Sequence, residues 1–182
     1  MGYEIFEHRH RFTVWAAARA TQRAFTTVAV LRDAVESSSV VAFVREPVSL
    51  EIDRQAFEVR HRQWCTSIVA FLEKRGVESA SFGRAAKLIA IYLKSMVVVA
   101  GYAHSQLAAV AHPPIDRILL QKLASSDKVS SPHKSAWRST NWTTLEESSY
   151  YILISQLRSI LPDGEPFWKL EEFWTVTNEK AL

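Results

Sequence analysis

The sequence from Phe82 to Val99 reads FGRAAKLIAIYLKSMVVV. It is apolar almost all the way round a helix, a pattern typical of helices buried in a protein core. It contains no proline, and Gly101 just beyond it favours a break. We therefore predict a buried helix from about Gly83 to Val99, around which the other helices pack.

The rest of the chain favours further helices rather than strands. Glycine and proline are scarce, at 5 and 6 residues, and no segment alternates apolar and polar residues as a half-buried strand does. The sequence therefore predicts an all-α fold. The first predicted helices cover residues 12–25 and 27–36, the second of them capped by Thr26 or Thr27. The others are a long segment capped by Asp53 and ended by Gly76, a run that starts at Pro113 and Pro114, and residues 143–159 and 167–174. The polar span 125–141 is predicted to be a flexible loop.

The composition is that of a globular protein. With 182 residues, of which 48% are hydrophobic and 23% charged, the chain can bury a core, and we expect one helical domain over residues 1–182. The sole cysteine, Cys65, excludes an internal disulfide and favours a buried thiol in a cytoplasmic protein. We expect no signal peptide and no membrane partner, because the N-terminus is charged and Lys94 interrupts the longest apolar run. Nothing in the sequence indicates the oligomeric state.

The usual signatures of metal and cofactor sites are missing from the sequence. The six histidines have no cysteine partners at ligand spacing, and no His-Glu-x-x-His pattern occurs. No glycine-rich phosphate loop and no serine nucleophile elbow is found either. We therefore expect no metal and no cofactor, and we place His8, His10 and His61 on the surface.

Lys87 is the first candidate for chemistry. A lysine inside a buried helix either reaches solvent along its aliphatic stem or points into a cleft. In a dry cleft the ammonium form is disfavoured, and the free amine becomes available as a nucleophile. Lys94 lies seven residues later on the same face. The two lysines could instead form a solvent-facing stripe, which helical geometry alone favours.

Asp116 is the second candidate. It follows Pro113, Pro114 and Ile115 at the head of the next apolar helical run. A carboxylate in the first turn of a helix is stabilised by the helix dipole and by unpaired backbone N–H groups, which keep it ionised at neutral pH. For Asp116 alone an ordinary helix cap is the simplest interpretation. Its combination with Lys87 in the preceding buried helix is more informative than either residue.

Two segments together resemble a known family. Residues 86–96, AKLIAIYLKSM, followed by residues 114–120, PIDRILL, resemble the catalytic segment of the helix-hairpin-helix DNA glycosylase superfamily, most closely its 8-oxoguanine branch, including the archaeal 8-oxoguanine glycosylases. In that family the helix contributes a Schiff-base lysine and a Pro-x-Asp segment contributes the assisting aspartate. Lys87 and Asp116 match those two positions. The resemblance covers about residues 82–123, and the glycine-rich hairpin usual in the superfamily is reduced here to Ser81-Phe82-Gly83.

The resemblance implies a two-lobed helical bundle that binds double-stranded DNA and removes a damaged or modified purine such as 8-oxoguanine. The target nucleotide would be extruded from the duplex, because its C1′ is out of reach while the base is stacked. Lys87 would then displace the base and form a Schiff base that permits strand cleavage. Asp116, its acidic partner, would either accept the proton of the lysine or stabilise the positive charge that develops on the sugar. Arg84, Lys94 and Arg117 could contact phosphates. The aromatic candidates for stacking on the flipped base, chosen by residue type only, are Trp15, Trp64, Phe82, Trp137, Trp142, Trp168 and Trp174.

Two other functions remain open on the sequence. A glycosylase-like protein could bind DNA without cutting it, keeping the basic face but not the lysine chemistry. A helical protein-interaction module would need neither. The net charge of +3 and the pI near 9.1 are compatible with a polyanionic partner, but they are common in proteins that never contact nucleic acid. A shared catalytic site would place the Lys87 amine within roughly 8 Å of the Asp116 carboxylate.

Overall fold

The computed structural model describes residues 3–22 and 25–175. These residues form helices and connecting turns, without any β-strand among them. The α-helices are α1 (Ile5–Gln22), α2 (Val28–Ser37), α3 (Val40–Arg45), α4 (Arg54–Lys74), α5 (Phe82–Leu93), α6 (Gln106–Val110), α7 (Arg117–Ser125), α8 (Lys134–Ser139) and α9 (Glu147–Arg158). A π-helix (Lys94–Tyr102) and short 3₁₀ segments (Pro47–Glu51, Trp142–Thr144, Phe167–Phe173) complete the described part. The prediction of an all-α fold is confirmed.

The core is built around α5. Every residue of this helix is buried except Arg84 and Ile91, which are partly exposed. Helices α1 and α4 pack along it. Their apolar faces supply Val14, Ala17 and Ala18 from α1, and Phe57, Trp64, Ile68 and Leu72 from α4. The predicted buried helix is therefore confirmed.

The predicted helix changes type part-way along. The α-helix ends at Leu93, and the chain continues directly into a π-helix, Lys94–Tyr102, which is kinked near its end at Gly101. Gly101 lies inside this segment at φ 102°, a left-handed conformation that glycine adopts without a steric penalty. The break expected at Gly101 is confirmed. A regular α-helix up to Val99 was wrong, because apolar periodicity over so short a run does not separate an α-helical from a π-helical turn.

This helical run also passes a simple test for a membrane span. Phe82–Tyr102 is 21 residues long and has a mean hydropathy of 1.5 over its most apolar window. Because 56% of that window is buried inside the protein, as in the core helix of a globular domain, the result is only a weak indication of a membrane span.

Three helix-end signals predicted from the sequence are confirmed. Thr27 caps α2 by accepting a hydrogen bond from the Val30 N–H at 3.2 Å. Asp53 caps α4 in the same way, accepting from the Ala56 N–H at 2.9 Å. Beyond α4, Gly76 has a φ of 73°, the left-handed conformation that commonly ends a helix.

Other predicted boundaries need correction. Helix α1 begins at Ile5 rather than at residue 12, and the predicted end of that helix includes residues outside the described ranges. Pro113 and Pro114 lie in an extended segment before α7, so the helix starts after Asp116 and not at the prolines. The C-terminal prediction of 143–159 separates into a 3₁₀ turn and α9.

The predicted flexible loop 125–141 was also wrong in part. It contains α8, whose Trp137 is 1% exposed and donates a hydrogen bond from Nε1 to Gln156 at 3.1 Å. Arg138 further ties the segment to α7 by donating to the Ala124 carbonyl at 2.9 Å. A single buried aromatic side chain thus orders a segment whose composition is mostly polar.

Two of the histidines expected on the surface are buried. His61 is fully buried and His10 nearly so, whereas His8 is exposed as expected. The hydroxyls of Tyr151 and Tyr92 lie within hydrogen-bonding distance of His61 and His10, at 2.9 and 3.0 Å, which offsets the loss of water. The expected buried thiol of Cys65 is confirmed.

Candidate active site

Lys87 lies in the second turn of α5, and the start of that helix is held firmly. Ser81 caps α5 by accepting from the Arg84 N–H at 3.2 Å, and its hydroxyl donates to the Thr143 carbonyl at 2.7 Å. The Lys87 side chain is only 5% exposed. It therefore does not lie on a solvent-facing stripe, and of the two placements left open by the sequence the structure selects the buried one.

Asp116 meets Lys87 from the start of α7. It is the N-cap of this helix, just before its first turn, and Oδ1 accepts a hydrogen bond from the Leu119 N–H at 3.0 Å. Its Oδ2 lies 3.1 Å from the Lys87 Nζ, and both side chains are almost completely buried. The expected proximity of amine and carboxylate is confirmed. The interpretation of Asp116 as a simple helix cap accounts for its Oδ1 but not for its Oδ2, which contacts Lys87.

Two indole rings adjoin the pair. The Lys87 Nζ lies 4.4 Å from the ring centroid of Trp142, a cation–π distance. The Trp174 Nε1–H points at the carboxylate of Asp116, 3.2 Å from Oδ1 and 3.1 Å from Oδ2. Trp142 is buried, whereas Trp174 is 38% exposed. The sequence named both tryptophans by residue type only and gave neither a place in the site.

The surroundings of Asp116 favour its charged form. Burial on its own raises the pKa of this carboxyl, but the Leu119 N–H, the charge of Lys87 and the Trp174 indole together outweigh burial, and the pKa lies below its usual range. Asp116 is therefore a carboxylate at neutral pH, as the sequence led us to expect.

A second ion pair lies close enough to Asp116 to be affected by its charge. Lys94, the first residue of the π-helix, forms a salt bridge with Glu171. Burial raises the pKa of Glu171, the Lys94 ammonium opposes that rise, and the negative charge of Asp116 adds to it. Lys94 and Glu171 thus belong to the same electrostatic environment as the Lys87–Asp116 pair. Glu171 was missed by the sequence, which offers no motif around it.

The remaining predicted DNA contacts differ in exposure. Arg117, the first residue of α7, is exposed directly beside Asp116. Arg84 is partly buried, and its guanidinium carbon lies 3.9 Å from the ring centroid of Phe25. Within the described ranges its Nε and Nη1 have no hydrogen-bond partner. Burial lowers the pKa of Arg84.

Among residues 3–22 and 25–175, no three histidine, cysteine, aspartate or glutamate side chains are grouped closely enough to hold a metal ion.

The chain was compared with protein families, curated proteins and solved structures. No known protein family, curated protein or solved structure matches the chain.

Proposed function

We propose that this protein is a DNA base-excision glycosylase with lyase activity, acting on a damaged or modified purine such as 8-oxoguanine in double-stranded DNA. The observation that carries the proposal is the buried contact between Lys87 and Asp116. Each had a more ordinary interpretation by itself, a solvated lysine and a helix cap. Their meeting at 3.1 Å in the protein interior supports a joint role.

The chemistry requires an amine and an anion at one sugar carbon. Lys87, once it has given up a proton, attacks C1′ of the extruded nucleotide, and the bond from C1′ to the base breaks with its electron pair leaving on the base. The C1′–amine adduct opens to a Schiff base, which permits elimination of the 3′ phosphate and cleavage of the strand.

Asp116 suits one of its two expected roles better than the other. A carboxylate with a lowered pKa is a weak base, so it is poorly matched to removing a proton from an ammonium group. The same property keeps it negative while positive charge develops on the sugar. We therefore assign Asp116 to electrostatic stabilisation of the transition state, and the proton of Lys87 passes to water.

The direction of substrate entry follows from the exposures. Lys87, Asp116 and Trp142 are each at most 5% exposed, and Trp174 is the member of this group that faces solvent. A flipped nucleotide would reach Lys87 by displacing the Trp174 indole from Asp116 and stacking against it. Lys94 and Glu171 would then offer a donor and an acceptor to the polar edge of the base. A two-lobed glycosylase arrangement around this entrance is part of the proposal.

The proposal is tested by trapping the covalent intermediate. The protein is incubated with duplexes that each carry one damaged base, including 8-oxoguanine, and sodium borohydride is added to reduce any Schiff base. We expect an adduct with at least one duplex and none with Lys87→Gln, because glutamine has similar reach but no nucleophilic amine. Lys122→Gln, an exposed lysine in the last turn of α7, is the matched control and keeps full trapping. Equal trapping by Lys87→Gln would exclude Lys87 as the nucleophile.

The salt dependence of duplex affinity tests whether the protein binds DNA at all, with or without cleavage. Exposed Arg117 is the better probe of a phosphate contact, since neutralising half-buried Arg84 would also disturb its packing on Phe25. In the proposed complex Arg117→Gln lowers the slope of log affinity against log salt by about one, whereas Arg32→Gln on α2 leaves it unchanged. Salt-dependent binding with no adduct on any duplex would favour the non-catalytic scaffold. Absence of duplex binding would favour the interaction module.

A further inference from the structure

A pocket lies away from the Lys87–Asp116 pair. It has a volume of about 300 Å³ and is formed by α1, α3, the 3₁₀ turn Pro47–Glu51 and the π-helix. We call it the Arg9 pocket, after the residue at its edge; its main walls are Phe6, Arg9, Arg45, Leu50, Met96 and Tyr102. None of its lining residues belongs to the proposed active site.

The floor of the Arg9 pocket is apolar. Met96 and Val97 of the π-helix are 4% and 1% exposed, and Phe6 and Leu50 are partly buried beside them. Ile5 stands at the rim with 65% of its surface exposed. An apolar group entering the pocket would cover this surface and be removed from water, which is the driving force that binds apolar ligands.

The rim carries an excess of positive charge. Arg9 and Arg45 both line the pocket, and within the described ranges neither guanidinium lies within 4.0 Å of a carboxylate. Arg45 is instead placed over the Phe6 ring, 4.7 Å from its centroid. Glu46 is the opposing charge among the lining residues, and the charge of Arg45 also acts on Glu7 of α1, which lies outside the lining. Two arginines against one glutamate favour an anion, and guanidinium groups suit carboxylate and phosphate oxygens.

The size of the pocket restricts what it can hold. About 300 Å³ is at the lower end of the range for small-molecule sites and is too small for a folded segment of another protein. Its inner wall is a π-helix, a rare conformation that occurs frequently at functional sites.

We propose that the Arg9 pocket binds a small amphipathic anion, with an apolar body against Met96 and Val97 and a carboxylate or phosphate head at Arg9 and Arg45. This is a ligand site separate from the DNA chemistry. The same chemistry is offered by a free organic acid and by a chain of an anionic lipid, so the test includes both sources.

Met96 provides a direct probe. The chain has two methionines, Met1 and Met96, so labelling the methionine methyl groups with ¹³C places one of two signals in the wall of the pocket. Octanoate is titrated into the labelled protein and compared with octylammonium, which carries the opposite charge on an alkyl chain that is one carbon longer. We expect a saturable shift of the Met96 signal with octanoate and binding at least about tenfold weaker with octylammonium.

Matched variants separate the pocket from non-specific binding. Arg9→Gln weakens octanoate binding about fivefold, while Arg19→Gln, an exposed arginine on the same helix, leaves it unchanged. Ile5→Ser also weakens binding, while Val99→Ser, exposed but outside the pocket, does not. Because all four side chains are at least partly exposed, none of these changes endangers folding.

The lipid source is tested with vesicles. Sedimentation with phosphatidylglycerol vesicles but not phosphatidylcholine vesicles, lost in Arg9→Gln and kept in Arg19→Gln, would assign the site to an anionic lipid. A Met96 shift with octanoate and no sedimentation would assign it to a free acid. Equal binding of octanoate and octylammonium, or no response to either octanoate or vesicles, would overturn the proposal.

Discussion

Gly83 lies in direct backbone contact with Trp142. A Cβ atom added to Gly83 would lie 2.1 Å from the Trp142 carbonyl oxygen, and the Gly83 N–H donates to the Leu145 carbonyl at 2.9 Å. This contact holds the start of α5 against the turn that carries Trp142, and the Trp142 ring in turn lies beside Lys87. The glycine of the reduced hairpin is therefore needed for the shape of the candidate site.

Gly83→Ala tests this contact. Gly83 is inside a helix, where alanine by itself would stabilise the protein by about 1 kcal/mol. Because a backbone oxygen cannot move aside as a flexible side chain can, we expect the clash to reverse the sign, with a net loss of about 2 kcal/mol in the free energy of unfolding measured in urea. Gly76→Ala is the comparison: nothing lies within 4 Å of its added Cβ, and only its φ of 73° is unfavourable, at about 1 kcal/mol. A Gly83→Ala protein as stable as wild type would show that the contact is not tight.

Asp116→Asn removes the negative charge of Asp116 but keeps its role as a helix cap. Asparagine caps a helix about as well as aspartate, so the contact with the Leu119 N–H is kept. The negative charge beside the buried Lys87 ammonium is lost, and we expect a fall of about 2 kcal/mol in the free energy of unfolding as well as severe loss of base release.

Asp53 supplies the matched control for this change. It caps α4 through the same contact to the backbone, with the Ala56 N–H at 2.9 Å, but its side chain is exposed. Asp53→Asn should alter the free energy of unfolding by less than about 0.5 kcal/mol. Equal effects of the two substitutions would mean that Asp116 acts as a cap and that its charge contributes nothing.

Trp174→Phe tests the hydrogen bonds that the indole donates to Asp116. Phenylalanine keeps an aromatic ring but cannot donate, so one of the groups that lower the pKa of Asp116 is removed and its pKa should rise. The chain has five aspartates, so ¹³C-carboxyl labelling of aspartate gives five signals to follow against pH. Trp168→Phe is the control, because the Trp168 indole donates to the Ala103 carbonyl and not to Asp116. An unchanged Asp116 titration in Trp174→Phe would show that the indole does not stabilise the carboxylate.

The fold was predictable where local physics decides it. The apolar run of α5 correctly predicted a buried helix, and the capping residues Thr27 and Asp53 lie where α2 and α4 begin. The wrong boundaries arose where a distant contact decides the local structure. Trp137 orders α8 through packing and its bond to Gln156, nineteen residues away, which composition alone does not reveal.

The candidate site could be predicted only for the residues that stand out in the sequence. Lys87 and Asp116 could be paired because Lys87 lies within an apolar helical run and Asp116 lies at the start of the next helix. Trp142, Trp174 and Glu171 reach the same place from segments with no pattern of their own. Only tertiary packing brings these three side chains to the Lys87–Asp116 pair. Their place in the site therefore could not be predicted from the sequence before the fold was known.

Two buried histidines, His61 and His112, form a cluster with two tyrosines. The His61 and His112 rings have centroids 4.6 Å apart, and their Nδ1 atoms lie 2.9 and 3.1 Å from the hydroxyls of Tyr151 and Tyr150. Burial lowers the pKa of His61 to about 3, assisted slightly by the charge of Arg62. Burial likewise lowers the pKa of His112 well below its usual range, and His61 adds to that effect. Both imidazoles are therefore neutral in the folded protein at neutral and mildly acidic pH.

The last prediction is that the protein loses stability in mild acid because of this cluster. Below about pH 6.5 the unfolded chain binds a proton on each of these histidines while the folded protein does not, so the stability is full above that pH and falls as the pH drops toward the folded value, about 3 for His61. The slope contributed by each histidine to the free energy of unfolding should grow as the pH falls below 6.5 and reach about 1.4 kcal/mol per pH unit by pH 5, as measured by urea titrations between pH 7 and pH 5. His61→Gln, which keeps a hydrogen-bonding group but cannot titrate, should reduce the slope by the contribution of one histidine. His104→Gln, at a position exposed to water, should leave the slope unchanged. A wild-type stability that is constant from pH 7 to pH 5 would mean that the buried histidines accept protons without unfolding, and that the cluster is not closed to water.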